Sequence, residues 1–278
     1  MEEAGTAAFG AHAPPPVRRT CRALAARLPA HGPLRWLTFL LRRLAGASLA
    51  GPLDVILFGH QRARLYPARN LCEKRVYATP QLWDADEREL LAAHIHAGSG
   101  PFHFVDVGAN VGLYTLFVRE ICQRAQRPLV AIAIEPSALL RGRLCDNLAL
   151  NRAEEVAVVA EAVASEVGQV RLAHAVDNLG QTSVVADGPG DVVSARPLLD
   201  IVMRFPLPAL DALKIDIEGG EHAVLEHFFA TATQDLRPRM IITETATPEQ
   251  STAQAALMSA NGYRVLVTTR LNSVYVNG

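Results

Sequence analysis

The sequence holds 278 residues, half of them apolar and a fifth charged, ample for a real core in one large domain or one domain with an extension. A formal net charge of −1 supplies no basic field for a nucleic acid or another polyanion, so neither is expected as a partner. Four widely spaced cysteines form no CxxC or Cys/His set, which points away from zinc or dithiol chemistry and toward free thiols in a reducing, cytoplasmic setting.

Residues 1–16 combine small residues with a proline triplet and are expected to be disordered. From Val17 to Ala50 there is no acidic residue, while seven arginines flank leucine-rich patches broken by Pro29, Gly32 and Pro33. Two short amphipathic helices fit this basic extension. One reading lays a helix on an anionic membrane surface, with Trp36 and Phe39 at headgroup level. The other, favoured because amphipathic helices usually bury their apolar face on their own domain, leaves only the arginines in water. The longest apolar run, LRWLTFLL at 34–41, falls short of the ~20 residues a membrane span requires.

Residues 51–97 read as a small lead-in: β-like pieces LDVILFGH, ARLYPA and CEKRVYATP, then a helix over DADERELLAAHIHA with an acidic start and a Gly98 stop. FVDVGANVGLYTLFVREI, 104–121, next predicts strand, turn and helix. Gly108 and Gly112 bracket the turn in a GxxxG arrangement, unlike the GxGxxG expected for dinucleotides. A glycine at the strand end lets a ligand approach the backbone, and the following helix directs amides at the same space.

The strand LVAIAIEP ends in Glu135, where a carboxylate can accept both hydroxyls of a ribose. An adenine dinucleotide or S-adenosylmethionine would satisfy that feature. Asp106, two residues before the first glycine, favours the latter, because a pyrophosphate would be repelled there.

After the apolar stretch FPLPALDAL comes KIDIEGGE, 214–221. Side chains alternate along a strand, so Lys214, Asp216 and Glu218 are expected on one face, at about 7 Å spacing, with Lys214 and Asp216 able to pair. Such a row must pair internally or reach a polar cleft. Glu221 follows in the first helical turn, where the helix dipole alone would also favour it. MIITETA, 240–246, places Glu244 at the end of another strand, expected beside the charged one.

With these pieces, the sequence resembles the FkbM-type family of S-adenosylmethionine-dependent methyltransferases, through FVDVGANVGLYT, IEP with NLALN, PLLDIV and LKIDIEGGEHAVLE in order. The resemblance spans roughly residues 98–246 and implies a Rossmann-like α/β fold: a seven-stranded, mostly parallel sheet with an antiparallel last strand, in a domain over 98–278. It implies that Asp106, Gly108, Asn110 and Gly112 line the amino-acid end of S-adenosylmethionine and Glu135 its ribose. Lys214, Asp216, Glu218 and Glu221 would lie at or near the reacting centre. The last motif is its most specific element, and the composition suggests a bacterial source. Asn147 and Asn151 also match the family, yet helix-end capping explains them equally well.

O-methylation requires a base for the acceptor hydroxyl. Asp216 or Glu218 is expected in that role, with Lys214 holding the carboxylate and Glu244 orienting a glycan, lipid or secondary-metabolite acceptor. A Mg²⁺ held by the acids, a nicotinamide-dependent oxidoreductase and a non-catalytic cofactor-binding protein are the alternatives.

Overall fold

A computed structural model describes residues 7–28, 35–46, 51–175, 178–185, 189–245 and 247–278. Two short helices, α1 (Pro16–Ala25) and α2 (Arg35–Leu44), precede a hairpin of β1 (Leu53–Leu57) and β2 (Gln61–Leu65). Helices α3 (Leu71–Ala78) and α4 (Ala85–Ala97) complete the lead-in. The αβ core runs through β3 (Phe102–Val107), α5 (Leu113–Arg124), β4 (Leu129–Ile134), α6 (Ala138–Leu150) and β5 (Val156–Val159).

Four more strands follow: β6 (Ala162–Val163), β7 (Gly168–Ala175), β8 (Asn178–Val185) and β9 (Asp191–Arg196). The chain then returns through α7 (Leu198–Val202), β10 (Ala212–Ile215), α8 (Glu221–Thr231), β11 (Met240–Glu244) and α9 (Pro248–Ala260). It closes on β12 (Tyr263–Thr268) and β13 (Asn272–Asn277).

The main sheet has the order β12-β13-β11-β10-β3-β4-β5. β3, β4, β5, β10 and β11 are parallel, and β13 runs antiparallel to both β11 and β12, as the expected architecture requires. The parallel strands read as near-continuous apolar runs because helices cover both faces. Val105, Val107, Leu213 and Ile215 face α7 and α8, while Phe102, Phe104 and Ala212 join the core under α4 and α5. The carboxyl ends of β3, β4, β10 and β11 share one edge, the usual place for a ligand in an open α/β sheet.

Several local expectations need revision. Residues 7–13, read as part of a disordered tail, are pinned by the buried Asp54–Arg64 pair. Asp54 accepts from the Gly10 and His12 amides at 2.8 and 3.1 Å, and Arg64 donates to the Ala7 carbonyl at 2.9 Å. CEKRVYA is helix α3 rather than strand, because the Asn70 side chain caps it by accepting from the Glu73 amide at 3.1 Å. The break expected around Pro29, Gly32 and Pro33 lies outside the described residues, as do Met1–Thr6.

Asn147 near the end of α6 and Asn151 at its C-cap, one turn apart, clamp the lead-in onto the core. The Asn147 Oδ1 accepts from the Arg64 amide at 2.8 Å while its Nδ2 donates to the Val111 carbonyl at 2.9 Å. Asn151 both accepts from the Arg62 amide and donates to the Arg62 carbonyl, at 2.8 and 2.7 Å. Two side-chain amides thus serve the free edge of β2 as a neighbouring strand would.

The four cysteines carry free thiols. Among the described residues, no helix is long and apolar enough to cross a membrane.

Candidate active site

A cleft of about 460 Å³ opens at the carboxyl edge, within the range of small-molecule sites. Asp106, Gly108, Asn110, Glu135, Lys214, Asp216 and Glu218 all line it. The elements that place them are the DVGANVG turn after β3, the end of β4 and the turn after β10.

Gly108, Asn110 and Gly112 have φ of 74°, 53° and 85°, so the turn uses the left-handed region three times in five residues. A Cβ on Gly108 would lie 1.9 Å from the Asp216 carbonyl oxygen. The close approach that demands glycine here is therefore from the neighbouring chain segment, whereas the sequence reading assigned it to a ligand. Asn110 is held from both sides. Its amide donates to Glu135 Oε2 at 2.8 Å, and its Oδ1 accepts from Asn70 Nδ2 at 2.8 Å.

Glu135 also accepts from the Ser137 amide, through Oε1, at 2.8 Å. Each carboxylate oxygen thus keeps a lone pair beside the cleft, which suits a pair of ribose hydroxyls. Burial pushes the Glu135 carboxyl up to about 7, against the opposing pull of the two amides. Asp106 takes the Thr115 amide and hydroxyl on Oδ2, at 3.1 and 2.6 Å, so it caps α5 in place of Gly112, which has no side chain to do so. Burial raises Asp106 to about 6, while Thr115 and Lys214 oppose the rise.

Lys214 is 2 % exposed and paired in register with Asp106 across the β3–β10 ladder. Its ammonium lies 3.0 Å from Asp216 Oδ2 and 5.2 Å from the centre of the Tyr114 ring. Burial alone would lower its pKa, but Asp216, with Asp84 and Asp106 behind it, more than reverses the effect, and the net shift is upward. Lys214 therefore stays charged and fixes Asp216.

The expected row of three along one strand is shorter than predicted, since β10 ends at Ile215. The Asp216 amide extends the ladder once, to the Val107 carbonyl at 3.0 Å, and the chain then turns with Glu218 at φ 59° and Gly219 at 115°. The turn, not strand alternation, brings Glu218 back to its partners. Asp216, Glu218 and Glu244 each offer a carboxylate oxygen within 4.8 Å of the others. Burial, and then the charges of Asp216, Glu218 and Glu221, push Glu244 up to about 8. At neutral pH Glu244 is an acid that can donate a hydrogen bond.

Glu221, expected with the catalytic residues, is committed to the turn itself. It accepts from the Ile217 amide at 2.8 Å and from the Gly219 amide at 3.0 Å. It holds the backbone that carries Glu218 and does not line the cleft.

Sequence reasoning missed the far wall. Asp84, read as the acidic start of α4, makes no cap bond there and instead accepts from the Tyr114 hydroxyl at 3.0 Å, close enough to Lys214 to feel its charge. Trp83, Cys72 and the β7 residues Val170 and Leu172 also line the cleft. Only the pairing of a helix-start acid with φ of 42° marks Asp84, and φ is not legible in the sequence.

A family model described as the methyltransferase FkbM domain matches residues 106–265, more than half of the chain. No curated protein matches the sequence. Among solved structures, a precorrin-6y methyltransferase of Geobacter metallireducens is similar at 15 % identity, with 68 % of this chain and 86 % of that one covered and a TM-score of 0.42. TYW2 of M. jannaschii in complex with AdoMet is similar at 11 % identity, over 83 % and 88 % of the two chains, with a TM-score of 0.40. A precorrin 8w decarboxylase from Methanobacterium thermoautotrophicum is similar at 13 % identity, over 70 % and 90 %, with a TM-score of 0.41.

Proposed function

The chain belongs to the FkbM family of methyltransferases, and from that premise we propose that it transfers a methyl group from S-adenosylmethionine to a hydroxyl oxygen of a glycan, lipid or secondary-metabolite acceptor. When bound, that cofactor supplies an electrophilic methyl on a positively charged sulfonium. The DVGANVG turn and Glu135 fit its amino-acid and ribose portions, because the turn opens on the cleft and Glu135 retains acceptor capacity there.

The observation that carries the reading is the acid cluster of Asp216, Glu218 and Glu244 on the same edge as the glycine turn, anchored by Lys214. Hydroxyls are weak nucleophiles at neutral pH, so a base must take the proton as the oxygen–methyl bond forms and the sulfur–methyl bond breaks. Asp216 or Glu218 does so. Asp216 is held in place by the ammonium of Lys214, and Glu244, protonated at neutral pH, donates to the acceptor or to its acidic neighbours. A cleft lined with carboxylates and one lysine favours the sulfonium and disfavours phosphorylated acceptors, nucleic acid included.

The nicotinamide alternative shares Glu135, but a pyrophosphate would meet Asp106, Asp216 and Glu218. Calorimetric titration separates the two: S-adenosylhomocysteine is expected to bind and NAD is not. Transfer of labelled methyl across a panel of hydroxyl-bearing glycans, lipids and metabolites then tests the acceptor. Labelling confined to amines or carbon would refute O-transfer. Turnover is expected to survive EDTA, because the Lys214 ammonium already balances Asp216 where a cation would otherwise be required.

A further inference from the structure

Helix α2 turns four of its six large apolar side chains to solvent. Its buried residues are Thr38, at 4 % exposure, and the following Ala45, at 0 %, whereas Trp36, Phe39, Leu40 and Leu44 are 64, 52, 44 and 52 % exposed. At 100° per residue these four side chains and Arg43 share one arc of about 140°. The favoured sequence reading placed the apolar face on the domain and the arginines in water. The structure instead seats the helix on Thr38 and Ala45 with Leu37 and Leu41 half-buried beside them, leaves the larger apolar stripe outward, and ties the helix end down where the Tyr77 hydroxyl donates to the Ala45 carbonyl at 2.6 Å.

We propose that this face of α2 docks on an anionic phospholipid surface. The charge around it selects that occupant. No acidic residue occurs between Val17 and Ala50, and Arg43 within the stripe and Arg42 at its edge are joined by Arg18, Arg19 and Arg27 of the same extension, Arg22 being spent on the Tyr77 and Ile56 carbonyls. An exposed tryptophan and phenylalanine among leucines supply the insertion, and the arginines supply attraction to phosphate. Arginine stems extend from an apolar stripe to a headgroup layer without burying their charge. The helix is far too short to cross a bilayer, so the contact is interfacial. It is tied to the cleft through α3, which bonds α2 at Tyr77 and lines the cleft at Cys72.

Trp36 and Trp83 are the two tryptophans, and Trp83 is buried, so a change in emission on adding lipid reports Trp36. The full chain is expected to sediment with phosphatidylcholine vesicles containing about one-third phosphatidylglycerol, with blue-shifted emission, and to stay in solution with phosphatidylcholine alone. The triple variant Trp36→Ser, Leu40→Ser, Leu44→Ser should lose about tenfold or more in partitioning. A second variant, Arg19→Gln with Arg43→Gln, should lose the preference for the anionic lipid while keeping the apolar stripe. Equal binding by both variants, or no binding by the parent chain, overturns the proposal. Concentration-dependent dimers that the triple variant abolishes would overturn it too, making a second copy the occupant.

Discussion

Gly108 and Asp216 meet backbone to backbone: a methyl group on the glycine would lie 1.9 Å from the aspartate carbonyl oxygen. The glycine turn and the acid-bearing turn are thus seated against each other, and the cofactor side of the cleft cannot shift without moving the acid side. Gly108→Ala adds the steric cost of φ 74° to that clash. It is expected to destabilise the protein by about 2 kcal/mol or more and to weaken S-adenosylhomocysteine binding at least tenfold. Thermal melting and calorimetry check both, and unchanged values would show that the contact is not obligatory.

Asp216→Asn and Glu218→Gln are each expected to leave S-adenosylhomocysteine affinity nearly intact while turnover falls about 100-fold or more for the residue that serves as base. The smaller loss identifies the supporting acid. Parental turnover in both variants would remove the pair from the chemistry.

Glu244 predicts a pH effect of definite sign. With its carboxyl raised to about 8, the proton it holds at neutral pH is lost as pH rises through that value, and the cluster gains a negative charge. Turnover should therefore decline above about pH 8. Glu244→Gln keeps a hydrogen-bond donor, so it should retain most of the activity at neutral pH and lose this alkaline limb. A variant with the parental profile would assign the limb elsewhere.

Buried carboxyls also set the stability curve. The raised Glu135 pKa means that the folded state holds a proton the unfolded state gives up, so its contribution is fully present below the ordinary value of 4.5 and is lost as pH rises to about 7. Glu73, likewise raised to about 7 by burial despite the Tyr66 amide and Arg143, acts in the same window. The ligand-free protein should melt higher near pH 5 than near pH 7.5. Glu135→Gln should flatten part of that slope, by up to about 3 kcal/mol. A slope identical in the variant would contradict the assignment.

Asn147→Ala leaves the Arg64 amide and the Val111 carbonyl without their buried partner. A loss of about 2 kcal/mol or more is expected from chemical denaturation, with faster hydrogen exchange at Arg62 and Arg64. A loss confined to a few tenths would mean that the hairpin holds without the clamp.

The main sheet and most of the cleft are legible in the sequence, because apolar runs, the glycine turn and charges at strand ends are local signals. CEKRVYA illustrates the limit. Its apolar spacing fits a short strand, and the cap that makes it a helix is one hydrogen bond, donated by the Glu73 amide to the Asn70 side chain. The sheet of β6, β9, β7 and β8 leaves no clear period, since its pairing depends on partners far along the chain. Asp84 and Tyr114 were hidden by innocent local roles, as helix start and core aromatic, that only the tertiary contact with Lys214 reveals.

The two asparagines of α6 and the bond from Asn70 to Asn110 redraw where this enzyme can be divided. A recombinant fragment beginning near Gly98 would contain every motif that identifies the family. It would lack the strand that Asn147 and Asn151 grip, the residue that steadies the glycine turn, and the lead-in's share of the core around Leu53, Val55 and Leu65. Chimaeras built to exchange acceptor preference would need their junction upstream of β1, so that the hairpin and α3 travel with the cleft they brace.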